Sequence, residues 1–177
     1  KIHWAEFSRD GGWIVTASSD GTACLWDAGS GTLQRKLRAH TAPVVLARFS
    51  PDNKTIVTGG SNGSIRVWDV ASGEMIFRVE DRNSPLITFD LSPDGKRLCS
   101  VCRDDVVRLW NLETHTEIPL PIEQGAFVHA AFSPDSRLLV TSSYDTTARL
   151  WDADSGRPIG SSLTHDGNVA SAHLSPG

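Results

Sequence analysis

The chain is written in short apolar runs of four to seven residues, each closed by turn-forming residues. Val44-Val45-Leu46-Ala47-Arg48-Phe49 is apolar and β-branched and predicts a strand. Ser50-Pro51-Asp52-Asn53 follows, with Pro at the second turn position, where its fixed φ suits a type I turn. Thr55-Ile56-Val57-Thr58 predicts a second strand and Ser61-Asn62-Gly63 a tight hairpin turn. Ser64-Ile65-Arg66-Val67-Trp68 predicts a third strand. Asp69-Val70-Ala71-Ser72-Gly73 turns again before a fourth, Met75-Ile76-Phe77-Arg78-Val79. The same order gives strands near 2–8, 13–18, 22–26 and 33–37 before it. After it come 86–91, 97–101, 106–110 and 116–120, then 127–132, 138–141, 147–151 and 158–162. One further strand is expected at 169–174. No segment sustains a period of 3.6, so no helix beyond a turn or two is expected. Pairs such as Ile56-Val57 and Val106-Val107 are apolar on consecutive positions, the mark of strands covered on both faces.

Two markers keep time with these strands. Trp26-Asp27, Trp68-Asp69, Trp110-Asn111 and Trp151-Asp152 lie 42, 42 and 41 residues apart. Ser8-Arg9-Asp10-Gly11, Ser50-Pro51-Asp52-Asn53, Ser92-Pro93-Asp94-Gly95, Ser133-Pro134-Asp135-Ser136 and Ser175-Pro176-Gly177 keep the same beat. A repeat of this length with a Trp-Asp signature reads as one four-stranded propeller blade per repeat. The blades fall at about 1–38, 39–80, 81–122 and 123–163, with the start of another at 164–177.

These residues resemble the WD-repeat (WD40) β-propeller family over the whole chain, and Asp145 to Gly156 looks most like bacterial WD arrays. The resemblance implies an all-β fold of four antiparallel blades plus one strand. It also implies a larger ring of about seven blades, completed by further blades or by a second copy. It implies a hydrogen-bonded tetrad in each blade: a His before the first strand, a hydroxyl in the second, an acid in the next turn and the Trp of the third. No blade here keeps all four. The first has Thr16, Asp20 and Trp26, with its His position before residue 1. The second has His40, Thr58 and Trp68, with Asn62 in place of the acid. The third has Ser100, Asp104 and Trp110, with Arg82 in the His position. The fourth has Thr141, Asp145 and Trp151, with Glu123 there, and His165 opens the next repeat. Asn62 can accept a hydrogen bond but carries no charge to raise an imidazole pKa.

Composition narrows the chemistry. A net charge of -4 and sparse aromatics argue against nucleic-acid binding. No apolar run reaches the roughly 18 residues that would span a bilayer. Three cysteines, Cys24, Cys99 and Cys102, form no disulfide framework, which favours a reducing, cytoplasmic setting. Cys99 and Cys102 lie three apart in a strand and so face opposite sides, which disfavours a redox or zinc pair. None of the six histidines forms a ligand spacing, and G-x-S-x-G is missing. No catalytic residue, cofactor or metal site is expected. Leu33-Gln34-Arg35-Lys36-Leu37-Arg38, the densest basic run, reads as protection of an outer strand edge.

The expected function is therefore a non-catalytic scaffold or sensor module that binds a protein or peptide. Bacterial relatives suggest attachment to a signalling kinase or NTPase. The best contact candidates are the residues before each tetrad acid: Ser19, Ser61, Arg103 and Tyr144. Arg103 and Tyr144 stand out because Arg and aromatic side chains dominate binding hot spots. First-strand positions also vary between repeats: Trp4, Leu46, Thr88, His129 and Ser171, and Glu6, Arg48, Asp90, Ala131 and His173. Trp4 reads as packing. The alternative is a propeller enzyme, for which Glu6, Asp90 and His173 would be the channel-lining residues.

Overall fold

The computed structural model describes residues 1–38, 40–80, 84–121 and 126–175. Arg82 and Glu123 lie outside the described residues. The described residues contain sixteen strands and no helix. Two compact units divide the chain, Lys1–Leu86 and Ile87–Gly177.

In the first unit, β1 (Ile2–Phe7), β2 (Trp13–Ser18), β3 (Thr22–Asp27) and β4 (Leu33–Arg38) form one antiparallel meander. A second contains β5 (Val44–Phe49), β6 (Thr55–Gly60), β7 (Ile65–Asp69) and β8 (Met75–Val79). The two sheets pack face to face. Val15, Ala17, Leu25 and Leu37 of the first meet Val44, Ala47, Phe49, Ile56 and Trp68 of the second in one core, with Trp4, Trp13 and Val70 partly buried against it. Alternation explains the arrangement: Val15 and Ala17 lie two apart on β2 and point the same way.

The second unit repeats the plan. It holds β9 (Leu86–Leu91), β10 (Arg97–Cys102), β11 (Val107–Asn111) and β12 (Thr116–Ile118). Beside them stand β13 (Phe127–Phe132), β14 (Leu138–Ser143), β15 (Thr147–Asp152) and β16 (Pro158–Thr164). Cys99, Val101, Leu109, Ala130, Phe132, Leu139 and Trp151 share its core. Cys99 and Cys102 are both buried and in no disulfide, and Cys24 is half-buried.

Every Ser-x-Asp turn is locked the same way. The hydroxyls of Ser8, Ser50, Ser92 and Ser133 donate to Asp10, Asp52, Asp94 and Asp135 at 2.5–2.6 Å. Each hydroxyl also accepts the amide N–H of the residue five positions on, at 2.9 Å. The fourth position takes a left-handed φ, at Gly11, Asn53, Gly95 and Ser136. Three of the first strands, β1, β5 and β13, share a β-bulge: register shifts between Ile2 and Trp4, Val44 and Leu46, and Phe127 and His129. A bulge re-aims the residues that follow it, here Trp4, Leu46 and His129.

Three strand expectations change. The strand expected at 116–120 ends at Ile118, because Pro119 and Pro121 cannot donate to a ladder. Val106 precedes β11 and is 38% exposed, so it is not a doubly covered strand residue, whereas Ile56 and Val57 are buried. Residues 169–174 form no strand. Val169 donates its N–H to the Ser143 carbonyl at 3.1 Å, but one bond does not make a ladder.

Candidate partner-binding rim

Antiparallel strands reverse at each turn, so the entry to a sheet's first strand and the turn between its second and third strands share one edge. Backbone bonds fix this edge. Ser19 donates its N–H to the Lys1 carbonyl at 2.8 Å, Ser61 to Pro43 at 2.8 Å and Tyr144 to Ala126 at 2.9 Å. Each bond pins the residue before the turn acid against the start of its own sheet. Tyr144 is 51% exposed. Arg103 and Ser19 are also exposed, and Ser61 is half-buried. Ser19 holds the His3 imidazole through its hydroxyl at 2.8 Å.

Beneath this edge lie the polar networks, which differ from sheet to sheet. In the second sheet Trp68 Nε1–H donates to Thr58 Oγ1 at 2.9 Å, and His40 Nε2 sits 2.8 Å from the same oxygen. His40 Nδ1 then meets Ser64 Oγ at 3.0 Å, and that hydroxyl donates to Asn62 Oδ1 at 2.8 Å. The tetrad expected from the sequence is thus a relay of five, with Ser64 interposed between the imidazole and the turn residue. Gly60 makes room for it. A Cβ there would lie 2.6 Å from both Asn62 Oδ1 and Ser64 Oγ, and 2.9 Å from His40 Nδ1. Burial and the Arg66 charge hold the His40 pKa down at about 4, so the ring is neutral at pH 7.

The other sheets keep pieces of this arrangement. Trp26 donates to Thr16 and Trp151 to Thr141, each at 3.0 Å. Trp110 and Ser100 are both buried in the third sheet. The turn acids bond a hydroxyl two residues on: Thr22 to Asp20 and Thr147 to Asp145, both at 2.6 Å. In the third sheet that position is Val106, and the Arg108 guanidinium takes over, 2.7 Å from Asp104. Arg149 approaches Asp145 similarly, at 3.2 Å. At the matching place Arg66 has only the neutral Asn62 in its turn. It donates instead to the Ile65 and Val79 carbonyls and pairs with Glu80 at 3.6 Å. The Thr22 hydroxyl above all, helped by Ser18 and the nearby Lys36, holds the Asp20 carboxyl down at about 2 despite some desolvation. For Asp104 and Asp145 burial pushes upward. Arg108, and Thr147 with Arg149, outweigh it, and both pKa values fall below the ordinary range.

Ser64, Gly60 and the arginines of the third strands were missed in the sequence. The signal for the hydroxyls was present, since Thr22, Ser64 and Thr147 recur two residues after the turn position. His165, expected to open another network, is exposed, and its backbone N–H donates to the Thr146 carbonyl at 2.9 Å.

The repeat itself matches a known family. The model of the WD domain, G-beta repeat, fits residues 2–27, 31–69, 75–111 and 123–152. The chain belongs to the WD40 repeat family. No curated protein matches it to a significant degree. WD40 repeats generally mediate protein–protein interaction, and proteins built from them are generally non-catalytic scaffolds. The matched WD40 segments are offset from the sheets by one strand. Residues 31–69 join β4 of one sheet to β5, β6 and β7 of the next.

Within the WD40 blades, the acids weighed for chemistry are engaged with the neighbouring sheet. Glu6 accepts the Phe49 N–H at 3.3 Å and lies 4.0 Å from Arg48. Asp90 accepts the Phe132 N–H at 3.2 Å, the same contact one blade pair later. Arg48 stacks 5.6 Å from the Trp4 ring. His173 stands edge-on to His129 with ring centroids 4.9 Å apart, which repeats the Trp4–Arg48 relation. Among the described residues no group of three or more His, Cys, Asp or Glu is placed to hold a metal. The basic run lies on β4, an edge strand of its sheet, and two of its members also make specific contacts. Arg35 donates to the Val70 carbonyl at 3.3 Å and to the Ala71 carbonyl, tying the first sheet to the second, and Lys36 pairs with Asp20 at 3.6 Å.

Proposed function

We propose that this chain is a non-catalytic docking module that binds a protein or peptide through the turns between the second and third strands of its sheets, Tyr144 and Arg103 in the second unit and Ser19 and Ser61 in the first. The observation that carries the reading is an exposed aromatic residue, Tyr144, on a turn whose backbone is pinned to its own sheet. Rigid presentation lowers the ordering cost of binding, and Arg and Tyr are the side chains that most often carry interface energy. The sheets below give stiffness and the turns give variety. We place the module in the cytoplasm as a sensor or scaffold of a larger signalling protein. Further blades or a second copy would complete its ring.

A propeller enzyme would need Glu6, Asp90 or His173 available to a substrate. The carboxylates of Glu6 and Asp90 accept backbone amides and His173 packs on His129, so a structural role accounts for each. Affinity capture followed by calorimetry tests the docking reading. Tyr144→Ala and Arg103→Ala should each weaken a captured partner by about 1 kcal/mol or more. Unchanged affinity in both folded variants would move the interface elsewhere.

A further inference from the structure

The first and second sheets meet around an open pocket of about 600 Å³, a size suited to a ligand. Trp13, Leu25 and Val70 give it an apolar floor, and Arg35, Lys54 and Asp69 stand around them. Trp13 opens β2, Lys54 lies in the turn before β6 and Val70 follows β7. Strand reversal puts all three on the edge opposite to Ser19 and Ser61.

The second unit shows why the pocket exists. There Arg97 occupies the repeat position of Trp13, and Asp154 that of Ala71. Arg97 reaches across to Asp154 and also meets Asp94 at 3.2 Å, so the chain's own ion pair spans the gap between these sheets. In the first unit the arginine has become an aromatic ring and the acid a methyl group. What remains is an apolar surface beside two cations. Arg35 spends two of its five N–H groups on the Val70 and Ala71 carbonyls. The one acid at the rim, Asp69, has its Oδ1 engaged by the Ser72 amide at 2.7 Å and hydroxyl at 2.8 Å. Among the lining residues two cations stand against one acid, and Asp52, in the turn that carries Lys54, lies outside the lining.

We propose that this pocket binds a peptide segment that carries an aromatic or branched apolar side chain beside a carboxylate. The side chain would lie on Trp13, Leu25 and Val70, and the carboxylate would face Arg35 and Lys54. It supplies from outside what Arg97 and Asp154 supply internally one pair later. The site lies at the edge of the first unit opposite to Ser19 and Ser61, so it would engage a different segment from the one proposed above.

The test titrates the whole chain, by calorimetry or by NMR, with three probes: acetyl-Ser-Phe-Asp-Ser-amide, its Asn counterpart, and 3-phenylpropionate. The acidic peptide should bind saturably, and the Asn peptide at least about fivefold more weakly, as expected when a charge-assisted bond is lost. Lys54 and Ala71 are both exposed. Lys54→Glu and Ala71→Asp should each cut affinity about tenfold by like-charge repulsion, with melting temperatures unchanged, while Ala71→Asn changes it little. Tyr144→Ala and Arg103→Ala should leave this affinity intact, which separates this site from the rim. No saturable binding, or binding indifferent to Lys54→Glu and Ala71→Asp, would overturn the proposal. Tighter binding of 3-phenylpropionate than of the peptide would overturn the choice of a peptide as occupant.

Discussion

Gly60 shows how much one missing methyl can carry. Its place is surrounded by Asn62, Ser64 and His40, each hydrogen-bonded to the next. Gly60→Ala should force at least one of these bonds to break, at a cost of about 1–3 kcal/mol. Urea denaturation would measure it, and an unchanged midpoint would mean the relay can shift freely. The same relay gives a pH signature. The His40 pKa is about 4 in the folded chain against an ordinary 6.5, so between these values the unfolded state binds more protons. Its stabilisation is complete above pH 6.5 and is lost as pH falls towards 4. Replacing His40 with Asn should flatten the stability profile in that window. The aspartates act lower, Asp20 between 3.8 and about 2. Trp68 and Thr58 could be paired from the sequence because they are diagonal neighbours on one face of a single hairpin, Trp68 standing opposite Ile56 and Thr58 opposite Arg66. Ser64 could not, because its role depends on where His40, twenty-four residues earlier, enters the blade.

At the scale of the element, the serine turn sets each first hairpin. Its hydroxyl donates once and accepts once inside a loop that is otherwise backbone. Ser50→Ala should therefore leave the Thr55 amide and the Asp52 carboxylate short of a partner and cost about 1–2 kcal/mol. A thermal melt of the variant checks this, and an unaltered melt would mean that water replaces the hydroxyl. Strand positions were legible because turn chemistry brackets them. β5 and β8 fall where their apolar runs predict. The failures have one cause: pairing is a property of two segments. Residues 169–174 have strand composition but form no ladder with a strand, and the end of β12 is set by two prolines rather than by hydrophobicity.

For the molecule as a whole, the links between sheets matter more than any one sheet. Glu6 reaches the Phe49 amide and Asp90 the Phe132 amide, so one contact is used twice, at the same register. Other surfaces have no such cover. Ile2 and Phe7 on β1, and Ile159 and Leu163 on β16, are 40–61% exposed. Exposed apolar patches of this kind favour association. The isolated chain should bind a hydrophobic dye and self-associate with rising concentration, and Phe7→Ser should lower the dye signal. A monodisperse monomer that binds no dye would refute this. The partner-binding rim was legible only as positions, since exposure and backbone anchoring arise from the fold. The apolar pocket was not legible at all, because Trp13, Arg35 and Lys54 come from three separate turns and strands.

The serine turns also decide which chemistry the cell can perform on this chain. Ser50, Ser92 and Ser133 each precede a proline and so look like phosphorylation sites. All three are 5% exposed or less, and each hydroxyl hydrogen already points at an aspartate. A phosphate there would set roughly two negative charges against that carboxylate and remove the hydroxyl hydrogen that the aspartate accepts. A kinase could act on these serines only once the turn has opened, and the mark would then oppose its closing.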